Sequence, residues 1–145
     1  MTADTAFQWL NLVVMPWWIL FLVAPRSALA LRVASHGGIF LALGCTYAVL
    51  LVSALSTGPQ GGFGYEGIRA ALSAPVGFLA GWTHYLVFDL FVGAWIVRES
   101  RRIDVGPRVF LFFTLMVGPV GLGSFLVRRW WRLRSLGQIG QPDLI

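Results

Sequence analysis

The chain has 145 residues, 57% of them hydrophobic and only 12% charged, with a formal net charge of +5. A soluble domain of this size would carry about twice that charge, and the mean hydropathy of +0.75 points the same way. All eleven basic residues are arginine; without lysine, no side-chain Schiff base to retinal or pyridoxal phosphate can form.

Four apolar runs, 7–24, 37–55, 76–97 and 109–127, each come near the ~20 residues that a helix needs to cross ~30 Å of hydrocarbon. They predict an all-α integral membrane protein with four transmembrane helices in a compact bundle, as one domain over residues 1–145. The first run follows Met1-Thr2-Ala3-Asp4-Thr5-Ala6, which lacks the basic residue of a signal peptide. It is expected to stay as an anchor. Gln8 and Asn11 are three apart and share a helical face. Pro16, ahead of Trp17 and Trp18, should kink the helix or unwind a turn. An interfacial polar pair and a tolerated proline would explain these residues equally well. Pro25-Arg26 closes the run, and 26–35 reads as a short helical connection along the interface.

The second run carries Gly44, Thr46, Ser53 and Ala54, small residues that permit close helix contact. Cys45, the only cysteine, lies mid-span, so no internal disulfide or cysteine metal cluster is possible. Residues 56–65 read as a glycine-rich loop, and 68–74 as a short interfacial helix.

The third run places Trp82, His84, Tyr85 and Asp89 at bilayer depth. Ionisable groups there are costly and rarely present without a partner or a task. Tyr85 and Asp89 are four apart and could share a hydrogen bond; Trp82 joins their face. His84 lies about 140° around the helix from Asp89, so the two do not simply stack. Asp89 falls near mid-bilayer, where a carboxylate is protonated or paired. Candidate partners are Arg26, Asn11 and Gln8. A buried hydrogen-bond network that only fixes packing is the plain alternative to a functional site.

The fourth run contains Gly118-Pro119-Val120-Gly121-Leu122-Gly123, which allows a bend and a close approach to a neighbour or ligand. The tail Arg128-Arg129-Trp130-Trp131-Arg132-Leu133-Arg134 alternates cations with indoles, as an anchor in anionic lipid would. No nucleic-acid role is implied, because the arginines sit at span ends. Four spans put Arg69, Arg128, Arg129, Arg132 and Arg134 on one side, and Arg26, Arg32, Arg98, Arg101, Arg102 and Arg108 on the other. Five against six gives no orientation.

Two histidines cannot supply the ligands of a membrane di-iron enzyme. His36 and His84 are separated by about 20 Å of depth, too far for one haem iron. No Gly-x-Ser-x-Gly elbow for a serine hydrolase occurs. Acid–base work on an apolar substrate remains, or simple ligand binding.

Asn11 with Met15-Pro16-Trp17, Ala24-Pro25-Arg26, the block Trp82-Thr83-His84-Tyr85-Leu86-Val87-Phe88-Asp89-Leu90-Phe91-Val92-Gly93, and Gly118-Pro119-Val120-Gly121-Leu122 together resemble the abscisic-acid-deficient-four-like membrane proteins. The plant members are associated with neoxanthin synthesis. The resemblance implies a small four-span protein of carotenoid metabolism. In plants the associated reaction turns the epoxide violaxanthin into an allene with no redox change. Such an isomerase would need an acid for the epoxide oxygen and a base for the adjacent polyene carbon. Asp89 and His84 are the expected catalytic pair. Tyr85, Trp82, Arg26, Asn11 and Trp17 would bind or orient the substrate.

No metal or cofactor is expected. The expected partners are membrane lipid and a carotenoid or other apolar isoprenoid. The short arginine-only chain carries no plastid-targeting extension, so a bacterial inner (plasma) membrane is the expected location. A non-catalytic carotenoid- or lipid-binding or scaffold protein is the alternative. A small transporter, which would need a homo-oligomer around a shared path, ranks last.

Overall fold

The computed structural model describes residues 2–57, 62 and 64–134. Among these the chain forms seven helices and no strand: α1 (Ala3–Val23), α2 (Ala28–Ser35), α3 (Gly38–Thr57), α4 (Tyr65–Ser73), α5 (Pro75–Arg102), α6 (Arg108–Val117) and α7 (Pro119–Leu133). Three of them, α1, α3 and α5, are long and apolar enough to cross a membrane. The Thr2 hydroxyl accepts from the Thr5 N–H to start α1, which runs on through Pro16 without a break in the helix. The short helices expected before and after the second run are α2 and α4.

The axis is α5, 28 residues or about 42 Å long. On one side it packs parallel to α1: the Trp82 indole N–H donates to Asn11 Oδ1 (3.3 Å), and further along Trp18 lies against Gly93. A Cβ on Gly93 would come within 2.8 Å of the Trp18 ring, so the glycine makes the seat for the indole. On another side α3 runs antiparallel, with Phe40 against Phe91 (5.6 Å between rings) and Tyr47 against His84 (5.7 Å). Trp18, Phe21, Leu90, Ala94, Leu111 and Phe125 are buried together at the heart of the bundle.

The expected fourth span over 109–127 is not one helix. Gly118 ends α6 with φ 23° and ψ −85°, a backbone geometry that side chains resist, and Pro119 opens α7 at its first position. The chain then doubles back. Gly121 lies directly on Thr114, where no Cβ would fit, and the rings of Phe110 and Phe125 meet at 5.4 Å. The end of α7 returns to the end of α5: Arg129 Nε donates to Glu99 Oε1 at 2.7 Å, and Arg132 Nε to the Ile103 carbonyl at 3.2 Å. Among the described residues the bundle is therefore three helices long and apolar enough to span a membrane plus a helical hairpin whose two arms start and finish at the same end of the bundle. The ten residues of α6 make a helix about 15 Å long, half the ~30 Å of a hydrocarbon layer. Gly118 is buried, the condition under which irregular backbone is tolerated at membrane depth.

The hairpin also overturns the even charge division. It carries Arg128, Arg129, Arg132 and Arg134 to the side of Arg26, Arg32, Arg98, Arg101, Arg102 and Arg108, leaving Arg69 alone at the other end. Several of these guanidinium groups clasp helix ends. Arg108 donates to the carbonyls of Leu22 (3.1 Å) and Val23 (3.0 Å), Arg98 to that of Ala34 and Arg101 to that of Arg26. The Leu22, Val23 and Ala34 carbonyls are ones that the ends of α1 and α2 leave without helical donors, and the Arg26 carbonyl belongs to the connection between them. Glu99, buried, sits between Arg129 and Arg102 and ties α7 to α5.

Candidate functional site

The functional candidates radiate from α5 in three directions. Toward α3 and α4 lies a cavity of about 490 Å³. Its wall is Tyr47, Leu51 and Ala54 from α3, Ile68, Ala71 and Leu72 from α4, and Ala80, Gly81, His84 and Tyr85 from α5. Small residues on α5 make this possible. Gly77 lets the α4 backbone press onto α5 at Ala71, and Gly81 faces Leu72 with little room to spare. The lining is mainly apolar, with the imidazole and two phenols as its polar features. His84 is exposed to the cavity, its ring 4.5 Å from Phe88 and 5.7 Å from Tyr47, and among the described residues no hydrogen bond pins it.

Toward the hairpin points Asp89. Its carboxylate lies against Gly118 at the hairpin tip and is half-buried. Neither Tyr85 nor His84 is hydrogen-bonded to it, and its close neighbour is the hairpin tip. The i,i+4 spacing of Tyr85 and Asp89 therefore permits a bond that does not form; Asp89 turns to the hairpin while Tyr85 faces the cavity and the lipid.

Toward α1 lies the third group. Trp82 donates to Asn11, whose own Nδ2 donates to the Phe7 carbonyl at 2.7 Å. Trp82 is stacked with Phe78 and contacts Phe7 at 5.0 Å. Trp17 is half-buried, with its Nε1–H enclosed and without an acceptor among the described residues. Gln8 bonds to Asp4 at the exposed start of α1. Arg26 stands apart: it pairs with Asp104 at 3.0 Å on the exposed surface beyond the end of α5. The structure thus brings Asn11 and Trp82 together, sets His84 and Tyr85 on one cavity, and places Asp89 and Arg26 elsewhere. Among the described residues no three His, Cys, Asp or Glu side chains converge as a metal site.

A family model described as ABA DEFICIENT 4-like matches residues 5–125, from the start of α1 into α7. The chain belongs to the ABA DEFICIENT 4-like family. No curated protein and no solved structure matches it. The matched region takes in all three spanning helices, the cavity and the hairpin tip, so the features above belong to the portion shared with this family. With its three apolar helices, the chain is a membrane protein of the ABA DEFICIENT 4-like family.

Sequence reasoning overlooked Tyr47 and the α4 wall of the cavity, as well as the Glu99–Arg129 pair. A tyrosine in an otherwise apolar second span was a visible signal. So was the proline between glycines at the centre of the fourth run.

Proposed function

We propose that this membrane protein binds the end of a carotenoid or related apolar isoprenoid in the cavity between α3, α4 and α5. There it isomerises the ligand by acid–base chemistry that needs no cofactor. The observation that carries this reading is an imidazole with no hydrogen-bond partner among the described residues, in an otherwise mainly apolar chamber of about 490 Å³. Mostly apolar pockets with a few placed polar groups are the usual form of small-molecule sites. In an epoxide of this class, His84 removes a proton from the polyene carbon next to the epoxide. The electron pair moves into the new double bond, the carbon–oxygen bond breaks, and the oxygen takes up a proton. Atoms and electrons balance without any redox partner. Asp89 supplies that second proton. Because it faces the hairpin, the proton travels by way of the Tyr85 hydroxyl or an intervening water. Trp82, Asn11 and Trp17 brace the α1 side of the site, and Arg26 has no part in it.

The test is expression in bacteria that make epoxy-carotenoids, followed by chromatography of the extracted pigment. A new species of unchanged mass should appear, and His84→Ala should abolish it. Unaltered pigment across several carotenoid backgrounds would refute the catalytic reading.

A non-catalytic carotenoid- or lipid-binding role is the second reading. It is favoured by one observation: no hydrogen bond joins His84 to Asp89, so the two do not form an acid–base pair with each other. It predicts a co-purified apolar molecule that is never converted.

A further inference from the structure

The re-entrant hairpin makes the two ends of the bundle unlike each other in charge and in filling. The end where α5 finishes holds ten of the eleven arginines, and the end where α5 begins holds Arg69 alone. These arginines lie in short connections or beside helix ends, the positions that count in setting orientation, since basic residues are retained on the cytoplasmic side. Filling differs as well. The arginine-rich half is completed by α6 and α7, which pack into the core through Leu111 and Phe125. The opposite half is completed by α4, and there the bundle keeps its cavity, bordered by Leu55, Gly62 and Gly67 at the Arg69 end.

We infer that the arginine-rich end lies in the cytoplasmic leaflet, so that the His84 cavity takes its ligand from the opposite leaflet. The ligand class, an apolar isoprenoid, rests on the reading proposed above; the side from which it arrives does not. An apolar molecule dissolved in lipid reaches such a chamber sideways, between α3 and α4, without crossing the hairpin. Asp89 and its contact with Gly118 lie further toward the arginine rim and on another face of α5 from the chamber. A ligand entering at the Arg69 end therefore meets His84 and Tyr85 before it meets Asp89.

Single-cysteine labelling tests this in the bacterial inner membrane. In a Cys45→Ser background, Tyr65→Cys reports the start of α4, Gly106→Cys the α5–α6 connection, and Arg134→Cys the end of α7. All three positions are exposed, and a side chain at 106 meets nothing within 4 Å. With a membrane-impermeant maleimide on intact spheroplasts, Tyr65→Cys should be labelled. Gly106→Cys and Arg134→Cys should gain label only after permeabilisation. Labelling of Gly106→Cys from outside, with Tyr65→Cys protected, would overturn the orientation. Labelling of Arg134→Cys together with Tyr65→Cys would overturn the hairpin on which it depends. These readouts do not involve pigment, so failure here and failure of the acid–base reading are separable.

Discussion

Asp89 on α5 rests against Gly118 at the hairpin tip: a Cβ added to that glycine would lie 3.0 Å from the carboxyl carbon. The tip gathers the last carbonyls of α6 and the first amides of α7, both short of helical partners. A carboxyl suits such a place because it accepts from amides when ionised and donates to a carbonyl when protonated. Asp89 is thus joined to the architecture as well as to any chemistry.

Gly118→Ala should lower stability by about 1–3 kcal/mol, through a positive φ that alanine resists and a collision with the Asp89 carboxylate. Thermal unfolding in detergent measures it. In a double-mutant cycle with Asp89→Ala the effects should be less than additive, because removing the carboxylate removes the collision and leaves only the backbone strain. Strict additivity would contradict the contact.

Glu99→Ala removes the carboxylate shared by Arg129 and Arg102, both within 2.7 Å of Glu99 Oε1. Breaking one side of a buried ion pair costs about 3–5 kcal/mol, whereas replacing both partners by apolar residues is much milder. Limited proteolysis should show α7 released in Glu99→Ala and held in the pair Glu99→Met with Arg129→Met. Equal protection in all three proteins would show that the pair does not fasten the hairpin.

Gly93→Val should displace the Trp18 indole and loosen α1 from α5, at a cost of about 1–3 kcal/mol. Trp18→Phe in the same chain should recover part of the lost melting temperature. If the smaller ring gives no recovery, the close approach is not what makes Gly93 necessary.

His84→Ala should abolish pigment conversion and leave the melting temperature nearly unchanged. The imidazole is exposed and without a hydrogen bond among the described residues, and such substitutions usually stay within about 0.5 kcal/mol. A large stability loss would assign His84 to packing.

Ala54→Trp places an indole in the cavity from its α3 wall. The amount of apolar ligand that co-purifies per protein should fall, while His84→Ala should retain it. Mass spectrometry of the extracted ligand distinguishes the two, and equal retention in both variants would move the binding site elsewhere.

The three spanning helices were legible because length and hydropathy alone define them; α1, α3 and α5 begin and end within a few residues of their apolar runs. The exception is the far end of α5. Arg98–Arg102 continue the helix because Glu99 finds Arg102 one turn on and Arg129 across the interface. The hairpin was not legible as such. Nineteen apolar residues have the same composition whether they cross a bilayer or fold back within it, and Gly118-Pro119 reads equally as a bend. Among the site candidates, Asn11 and Trp82 meet as their similar depth allowed. Arg26 is drawn off by Asp104, 78 residues away in sequence, an attachment that no local spacing announces. The cavity was hidden for the same reason, since its walls come from three helices.

A turn that leaves peptide groups unpaired cannot wait in bare lipid, where each such group costs several kcal/mol. The α6–α7 hook has its polar companion on α5, and Leu111 and Phe125 bury their rings and branches only against helices already assembled. The hook's burial therefore depends on the long helices: without α1 and α5 beside it, Leu111, Phe125 and the tip have nothing to pack against. A nascent chain released before Arg108 would leave a scaffold with a vacant slot, its Asp89 facing hydrocarbon.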